Sequence, residues 1–101
     1  MKIIYSKESY EQLQNIKKFI SLDNKKTAIQ YLSKIKNKIE ILVIYPYIGK
    51  INVIMNMHHI RDYVVLGYKV IYKINKENIT ILAIYKYIDF NEREISHDDE
   101  S

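Results

Sequence analysis

The feature that most constrains this chain is a change in the spacing of its apolar residues. Between residues 10 and 42 they recur every three or four positions, which is the period of an α-helix. Between residues 60 and 87 the period falls to two, which is the period of a β-strand. A chain that is helical first and strand-forming afterwards predicts an α+β fold, in which a helical layer packs against a sheet.

The first half of the chain predicts a short strand followed by a helical hairpin. Residues 2–5 are the expected strand, and Ser6 is a suitable N-cap for the helix that follows. The first helix is expected to bury Tyr10, Leu13, Ile16, Phe19 and Ile20. A turn at Asp23–Asn24 caps the second helix, which must end before Pro46. Its apolar seam has alternating spacings of four and three: Ala28, Leu32, Ile35, Ile39 and Leu42.

The second half predicts a three-stranded antiparallel meander. Its strands cover residues 60–66, 68–74 and 79–87, with Gly67 in the first turn and a polar turn at 75–78. Residues 46–59 are a loop that is apolar enough to form part of a strand or to cover the core. We therefore expect one domain over residues 1–90: a two-layer α+β fold with an N-terminal strand and a helical hairpin packed on a curled antiparallel sheet.

The charge is divided unevenly along the chain. Residues 1–90 carry fifteen basic and seven acidic side chains, net +8, whereas residues 91–101 carry one Arg against five acidic residues, net −4. A basic body suits nucleic acid or an acidic protein partner, and lysine also serves solubility. We expect residues 91–101 to be a flexible acidic tail. One hypothesis is that this tail folds back on the basic body and weakens target binding, so that truncation after Phe90 raises activity.

Several classes of protein are excluded by composition. The chain has no cysteine, which excludes a disulfide framework, a thiolate nucleophile and a cysteine-based zinc site. No apolar run approaches the roughly 20 residues that a membrane-spanning helix needs. The three apolar residues near the N-terminus are too few for a signal peptide. We expect a cytoplasmic protein with no metal, no other cofactor and no membrane partner.

Several short motifs occur in a fixed order between residues 3 and 90. They are Tyr5-Ser6-x-x-Ser9, Leu13-x-x-Ile16-x-x-Phe19-Ile20, Ile35-x-x-x-Ile39-x-x-Leu42, Pro46-x-x-Gly49-Lys50, Ile60-Arg61-Asp62-Tyr63, Gly67-Tyr68-Lys69-Val70-Ile71-Tyr72 and Ile79-Thr80-Ile81-Leu82. With this ordered set the chain resembles the RelE/ParE superfamily of toxins from bacterial type II toxin–antitoxin systems. The resemblance implies a RelE/ParE-like fold and a hetero-oligomer with a cognate acidic antitoxin, encoded by an adjacent gene.

The resemblance leaves two activities open, because the superfamily divides by target. ParE-like members poison DNA gyrase, whereas RelE-like members cleave mRNA on the ribosome. A RelE-like activity would assign catalysis to Lys50, His59, Arg61 and Tyr87, and Arg61 and Lys86 are the expected target-binding residues. The acidic tail and the single sheet arginine favour the ParE-like, gyrase-directed activity. A third hypothesis is an inactive protein-binding module that remains bound to its antitoxin.

Each candidate residue also has a purely structural interpretation. Arg61 is one of two arginines in a lysine-rich chain, which favours a role for its planar fork, either on a target or in a salt bridge with Asp62 or a helix carboxylate. For Lys50 and His59 the preferred interpretation is an ordinary loop residue. For Tyr85, next to Lys86 and Tyr87, the favoured interpretation is packing against other side chains.

Overall fold

The structure is a computed structural model of the 101-residue chain, and it describes residues 1–87. Two helices are present, α1 (Lys7–Ser21) and α2 (Lys25–Ile44). Five strands complete the fold: β1 (Lys2–Tyr5), β2 (Lys50–Ile51), β3 (Ile60–Val65), β4 (Tyr68–Ile74) and β5 (Asn78–Lys86). The expected acidic tail at residues 91–101, and the hypothesis that it folds back, lie outside the described residues.

The five strands form one sheet in the order β1-β5-β4-β3-β2. Strands β2 to β5 pair antiparallel, as the meander predicts, and β1 pairs parallel with β5. A parallel pair needs a long connection, which the chain between β1 and β5 supplies. The two-layer α+β fold is therefore confirmed, with the sheet mixed rather than wholly antiparallel. In residues 1–87 no helix is both long and apolar enough to cross a membrane.

Both helices begin at the capping residues that the sequence predicts. The Ser6 hydroxyl accepts a hydrogen bond from the Ser9 amide at 3.1 Å, and the Asn24 carboxamide accepts one from the Thr27 amide at 3.1 Å. Ser6 also donates to the Leu82 carbonyl at 3.1 Å, which ties the start of α1 to β5.

The helical layer buries the whole predicted seam of α2 and only part of the predicted face of α1. All five seam residues of α2 are buried. On α1, Leu13 and Ile16 are buried, but Tyr10 and Phe19 are 55% and 68% exposed, so their assignment to the core was wrong. Apolar spacing identifies the direction of a helical face but not the width of the stripe that its neighbours cover.

The Pro46-x-x-Gly49 segment is fixed to the sheet by one buried phenol. The Tyr72 hydroxyl donates to the Pro46 carbonyl at 2.6 Å and accepts from the Gly49 amide at 3.0 Å. Burial raises the pKa of this phenol, against the opposing effects of the Gly49 hydrogen bond and the Arg61 charge. The turn before β2 is therefore held in place, and it positions Lys50 at the edge of the sheet.

Candidate functional site

The sheet has one face covered by helices and one open face. Val70, Tyr72 and Ile81 are buried under the helical layer. Paired residues on neighbouring strands point to the same side, so Asp62, which pairs with Ile71, and Lys69, which pairs with Tyr85, belong to the open face.

A hollow of about 280 Å³ lies on the open face beside β2. This sheet hollow is lined by Ile48, Gly49, Lys50, Asp62, Tyr63, Val64, Lys69 and Tyr87. The Lys69 ammonium lies 3.8 Å from the Asp62 carboxylate and 4.8 Å from the centre of the Tyr87 ring. Lys50 pairs with Asp62 across β2 and β3, so its side chain points to the same side. The hollow thus combines two lysines, a tyrosine and a carboxylate.

The hollow contains only part of the set expected of a ribonuclease. Lys50 and Tyr87 line it, whereas His59, Arg61 and Lys86 do not. Arg61 pairs with Tyr72 on the helix-covered side of the sheet, and Lys86 pairs with Tyr68 on that same side. Among residues 1–87, no group of three or more His, Asp or Glu side chains could hold a metal ion.

Arg61 is engaged with backbone carbonyls. Its guanidinium donates to the carbonyls of Gly49 at 3.0 Å, Tyr47 at 3.3 Å and His58 at 2.9 Å, and it lies 5.0 Å from the centre of the Tyr47 ring. The Asp62 carboxylate is bound instead by Asn52 and Lys69. In the described part of the chain Arg61 therefore joins the turn before β2 to the loop before β3, and makes no salt bridge.

The two histidines lie away from the sheet hollow. The His58 ring stacks on Tyr47 with 5.1 Å between ring centres, and its Nδ1 lies 3.1 Å from the Arg61 guanidinium. His59 is half-buried, and its backbone carbonyl accepts a hydrogen bond from Ile74 at 2.7 Å. Both histidines therefore contribute to the junction between the loop and the sheet.

We expect Arg61→Lys to lower the free energy of unfolding by about 1–2 kcal/mol, because an ammonium cannot reach three separated carbonyls from one position. Urea denaturation measures this loss. Lys76→Arg, an exchange at an exposed turn residue, is the matched control and should leave the midpoint unchanged. Unchanged stability of Arg61→Lys with loss of toxicity would instead assign the guanidinium to target contact.

A second concavity, of about 330 Å³, lies between α1 and the end of the sheet. This α1–β5 groove is lined by Gln12, Asn15, Ile16, Phe19, Tyr68, Ile84, Tyr85 and Lys86. Gln12 fixes α1 against the sheet by accepting from the Ile84 amide at 2.5 Å. The exposed Phe19 gives the groove an apolar surface, and Tyr85 at its edge is 43% exposed. Lys86 is the cation at its rim.

Asp62 and Lys69 are parts of the hollow that the sequence analysis missed. The sequence indicated Asp62 only as a salt-bridge partner for Arg61, and Lys69 only as a residue of the strand expected over 68–74. The tight turn at Gly67 contained the necessary signal, because it sets the β3–β4 register and so places both residues on one face.

A helical hairpin on one face of a mixed five-stranded sheet, with a Pro-x-x-Gly turn fixed at the sheet edge, is the arrangement that the resemblance to the RelE/ParE superfamily implies. The model of the family described as "ParE toxin of type II toxin-antitoxin system, parDE" matches residues 3–86. The chain belongs to this family, and it is a ParE-like toxin whose partner is an antitoxin.

A solved structure titled "Chromosomal ParDE TA system from P. aeruginosa" contains a similar fold. The match has a TM-score of 0.73 and 15% sequence identity, and it covers 87% of this chain and 97% of that chain. At this identity the similarity concerns the fold alone. None of the curated proteins compared with the chain gives a significant match.

Proposed function

We propose that this toxin inhibits growth by binding DNA gyrase and blocking its cycle, in the cytoplasm. The observation that carries the proposal is the composition of the sheet hollow. A ribonuclease needs cations on the phosphate and a group that removes a proton from the attacking hydroxyl. Here the Asp62 carboxylate lies among the cations, 3.8 Å from Lys69, where it would repel a phosphate.

The expected ribonuclease set is also divided between two sides of the sheet. Lys50 and Tyr87 line the hollow. The Arg61 guanidinium lies on the helix-covered side of the sheet, where it donates hydrogen bonds to the backbone carbonyls of His58 and Gly49. A surface with this arrangement is better suited to binding a protein than to cleaving RNA. Lys86, exposed at the rim of the α1–β5 groove, is our candidate for contact with the target, and Arg61 acts by holding the neighbouring loop.

The second candidate function is ribosome-dependent cleavage of mRNA. One observation favours it: Lys50, Lys69 and Tyr87 do meet in a single hollow. Under this hypothesis the two lysines would hold phosphate and Tyr87 would act in proton transfer.

A pair of assays with the purified chain separates the two functions. We expect inhibition of DNA supercoiling by gyrase, and no cuts at codon positions in mRNA on ribosomes. Lys86→Glu should raise the concentration for half-inhibition about tenfold, because charge reversal at a contact replaces attraction with repulsion. Lys76→Glu, at an exposed hairpin turn, is the matched control. Codon-specific cuts with undisturbed gyrase would overturn the proposal in favour of the second candidate.

We further propose that the antitoxin is acidic and encoded by the adjacent gene. The net +8 of residues 1–90 supports this, since association of oppositely charged surfaces is both faster and more selective.

A further inference from the structure

Residues 53–57, here called the apolar loop, expose apolar side chains to an unusual degree. Val53 and Ile54 are 85% and 88% exposed, the two highest values among large apolar residues in the described chain. Met55 and Met57 add further apolar surface at 49% and 46% exposure. Adjacent exposed apolar residues on a small protein mark an interaction site more often than they serve the fold.

The apolar loop is held in one conformation by a buried asparagine. Asn52 is 5% exposed, and its side-chain oxygen accepts from the amides of Ile54 at 3.1 Å and Met55 at 2.9 Å. Its side-chain nitrogen donates to the Asp62 carboxylate at 2.7 Å, which fixes the loop to β3.

Backbone hydrogen bonds close the same loop. The Asn52 carbonyl accepts from the Asn56 amide at 2.7 Å, and the Met57 carbonyl accepts from the Ile60 amide at 3.0 Å. Asn56 adopts a left-handed conformation with φ 49°, which asparagine tolerates better than most residues. A surface that is ordered before binding loses less conformational entropy on association, so this loop is preorganised for binding.

The chain on both sides of the apolar loop is basic. Residues 41–61 contain no carboxylate, and they include Lys50 and Arg61. The nearest carboxylate in sequence, Asp62, is occupied by Asn52 and Lys69. An apolar tip with a cationic border complements a segment that carries apolar side chains among acidic ones. RNA does not complement this surface, because its charged phosphate backbone makes no favourable contact with four exposed aliphatic and thioether side chains.

We propose that the apolar loop is a docking surface for the antitoxin, and that it receives an acidic segment with interspersed apolar side chains. The inference rests on the proposed acidic antitoxin partner and is independent of the gyrase target. The partner's apolar side chains would cover Val53 and Ile54, and its carboxylates would face Lys50.

The test is the affinity of the full chain for the protein encoded by the adjacent reading frame, measured by calorimetry. The variant Val53→Ser/Ile54→Ser should weaken binding at least tenfold, with an unchanged urea midpoint because both side chains are almost fully exposed. Leu22→Ser/Ile29→Ser is the matched control: these residues are 82% and 59% exposed on the helical hairpin, and their exchange should change the affinity less than twofold.

The outcomes separate this proposal from the gyrase proposal. Weakened antitoxin binding supports the docking surface whether or not the wild-type chain inhibits gyrase. If the Val53→Ser/Ile54→Ser variant binds the antitoxin within threefold of the wild-type affinity, the docking proposal is overturned. This includes the case in which the variant no longer inhibits gyrase, because the loop then contacts the target instead. Failure of the wild-type chain to bind the neighbouring protein also overturns it. The proposal is likewise overturned if the wild-type chain binds vesicles of anionic phospholipid, the variant does not, and the two have the same affinity for the antitoxin.

Discussion

Replacing Gly49 with alanine is expected to cost about 3 kcal/mol or more of unfolding free energy, the upper end of overpacking costs. A Cβ at this position would lie 2.5 Å from the Asp62 carbonyl oxygen and 2.7 Å from the Tyr72 hydroxyl. The first of these neighbours is backbone in the middle of β3, so it cannot move without disturbing the β2–β3 pairing. In a domain of this size the loss corresponds to a fall in Tm of at least about 12 °C, measurable by thermal denaturation.

Gly67→Ala is the matched control, because its glycine is needed for a different reason. Gly67 has φ 84° and no heavy atom within 4 Å of a Cβ, so alanine there meets backbone strain but no clash. We expect a cost of about 1–2 kcal/mol for that exchange. The double variant Gly49→Ala/Tyr72→Phe removes the hydroxyl contact while keeping the Asp62 contact, so it should remain strongly destabilised. Equal losses for the two glycine variants would contradict the steric account.

The local elements of this fold could be read from the sequence because each has a cause within a few residues. Ser6 and Asn24 cap their helices through amides three positions away, and Pro46 limits α2. The seam of α2 is buried in full, since that helix packs along its whole length against the rest of the core. Fold class followed from these elements and from the change of apolar period.

The pairings that depend on distant residues were harder to predict. β1 joins β5 in parallel, a contact between residues more than 70 positions apart, and no local pattern encodes it. The register of β5 also shifts at Leu82, so that Ile81 and Ile84 are both buried at a spacing of three. Strict alternation would place Ile81 and Ile84 on opposite faces of the strand, whereas the bulge places both under the helices.

The candidate site was predicted least well, for the same reason. Lys50 and Tyr87 do meet in the sheet hollow, but Arg61 is directed to carbonyls of residues 47, 49 and 58. The choice of arginine at position 61 indicated that the planar guanidinium matters there, and its three hydrogen bonds agree with this. Its hydrogen-bond partners depend on how two loops meet in space, and the spacing of residues in the sequence does not determine that. Asn52 is buried and has five polar partners, three through its side chain and two through its backbone, and nothing in the sequence indicated this.

Asn52 provides the second large expected effect. Asn52→Asp preserves the shape and the acceptor oxygen, but it replaces the donor that faces the Asp62 carboxylate at 2.7 Å with a second carboxylate. At pH 7 the variant loses a charge-assisted hydrogen bond and gains a like-charge contact in a half-buried site. We expect a loss of about 3 kcal/mol, measured by urea denaturation. Asn56→Asp, an isosteric exchange at the exposed end of the same loop, should change stability by less than about 0.5 kcal/mol.

The pH dependence of this variant distinguishes repulsion from a general weakening of the loop. Unfolded carboxyls titrate near pH 4, whereas the folded pair retains a shared proton to higher pH, because two adjacent carboxylates cannot both ionise freely. The folded state then binds more protons than the unfolded state, so the variant's stability falls as pH rises above about 4. Below that range the shared proton restores a donor toward Asp62. The difference in unfolding free energy between the variant and wild type should then narrow to about 1 kcal/mol. If this difference in unfolding free energy stays constant between pH 4 and pH 7, the electrostatic explanation is contradicted, and the loss of stability comes from weaker packing of the loop.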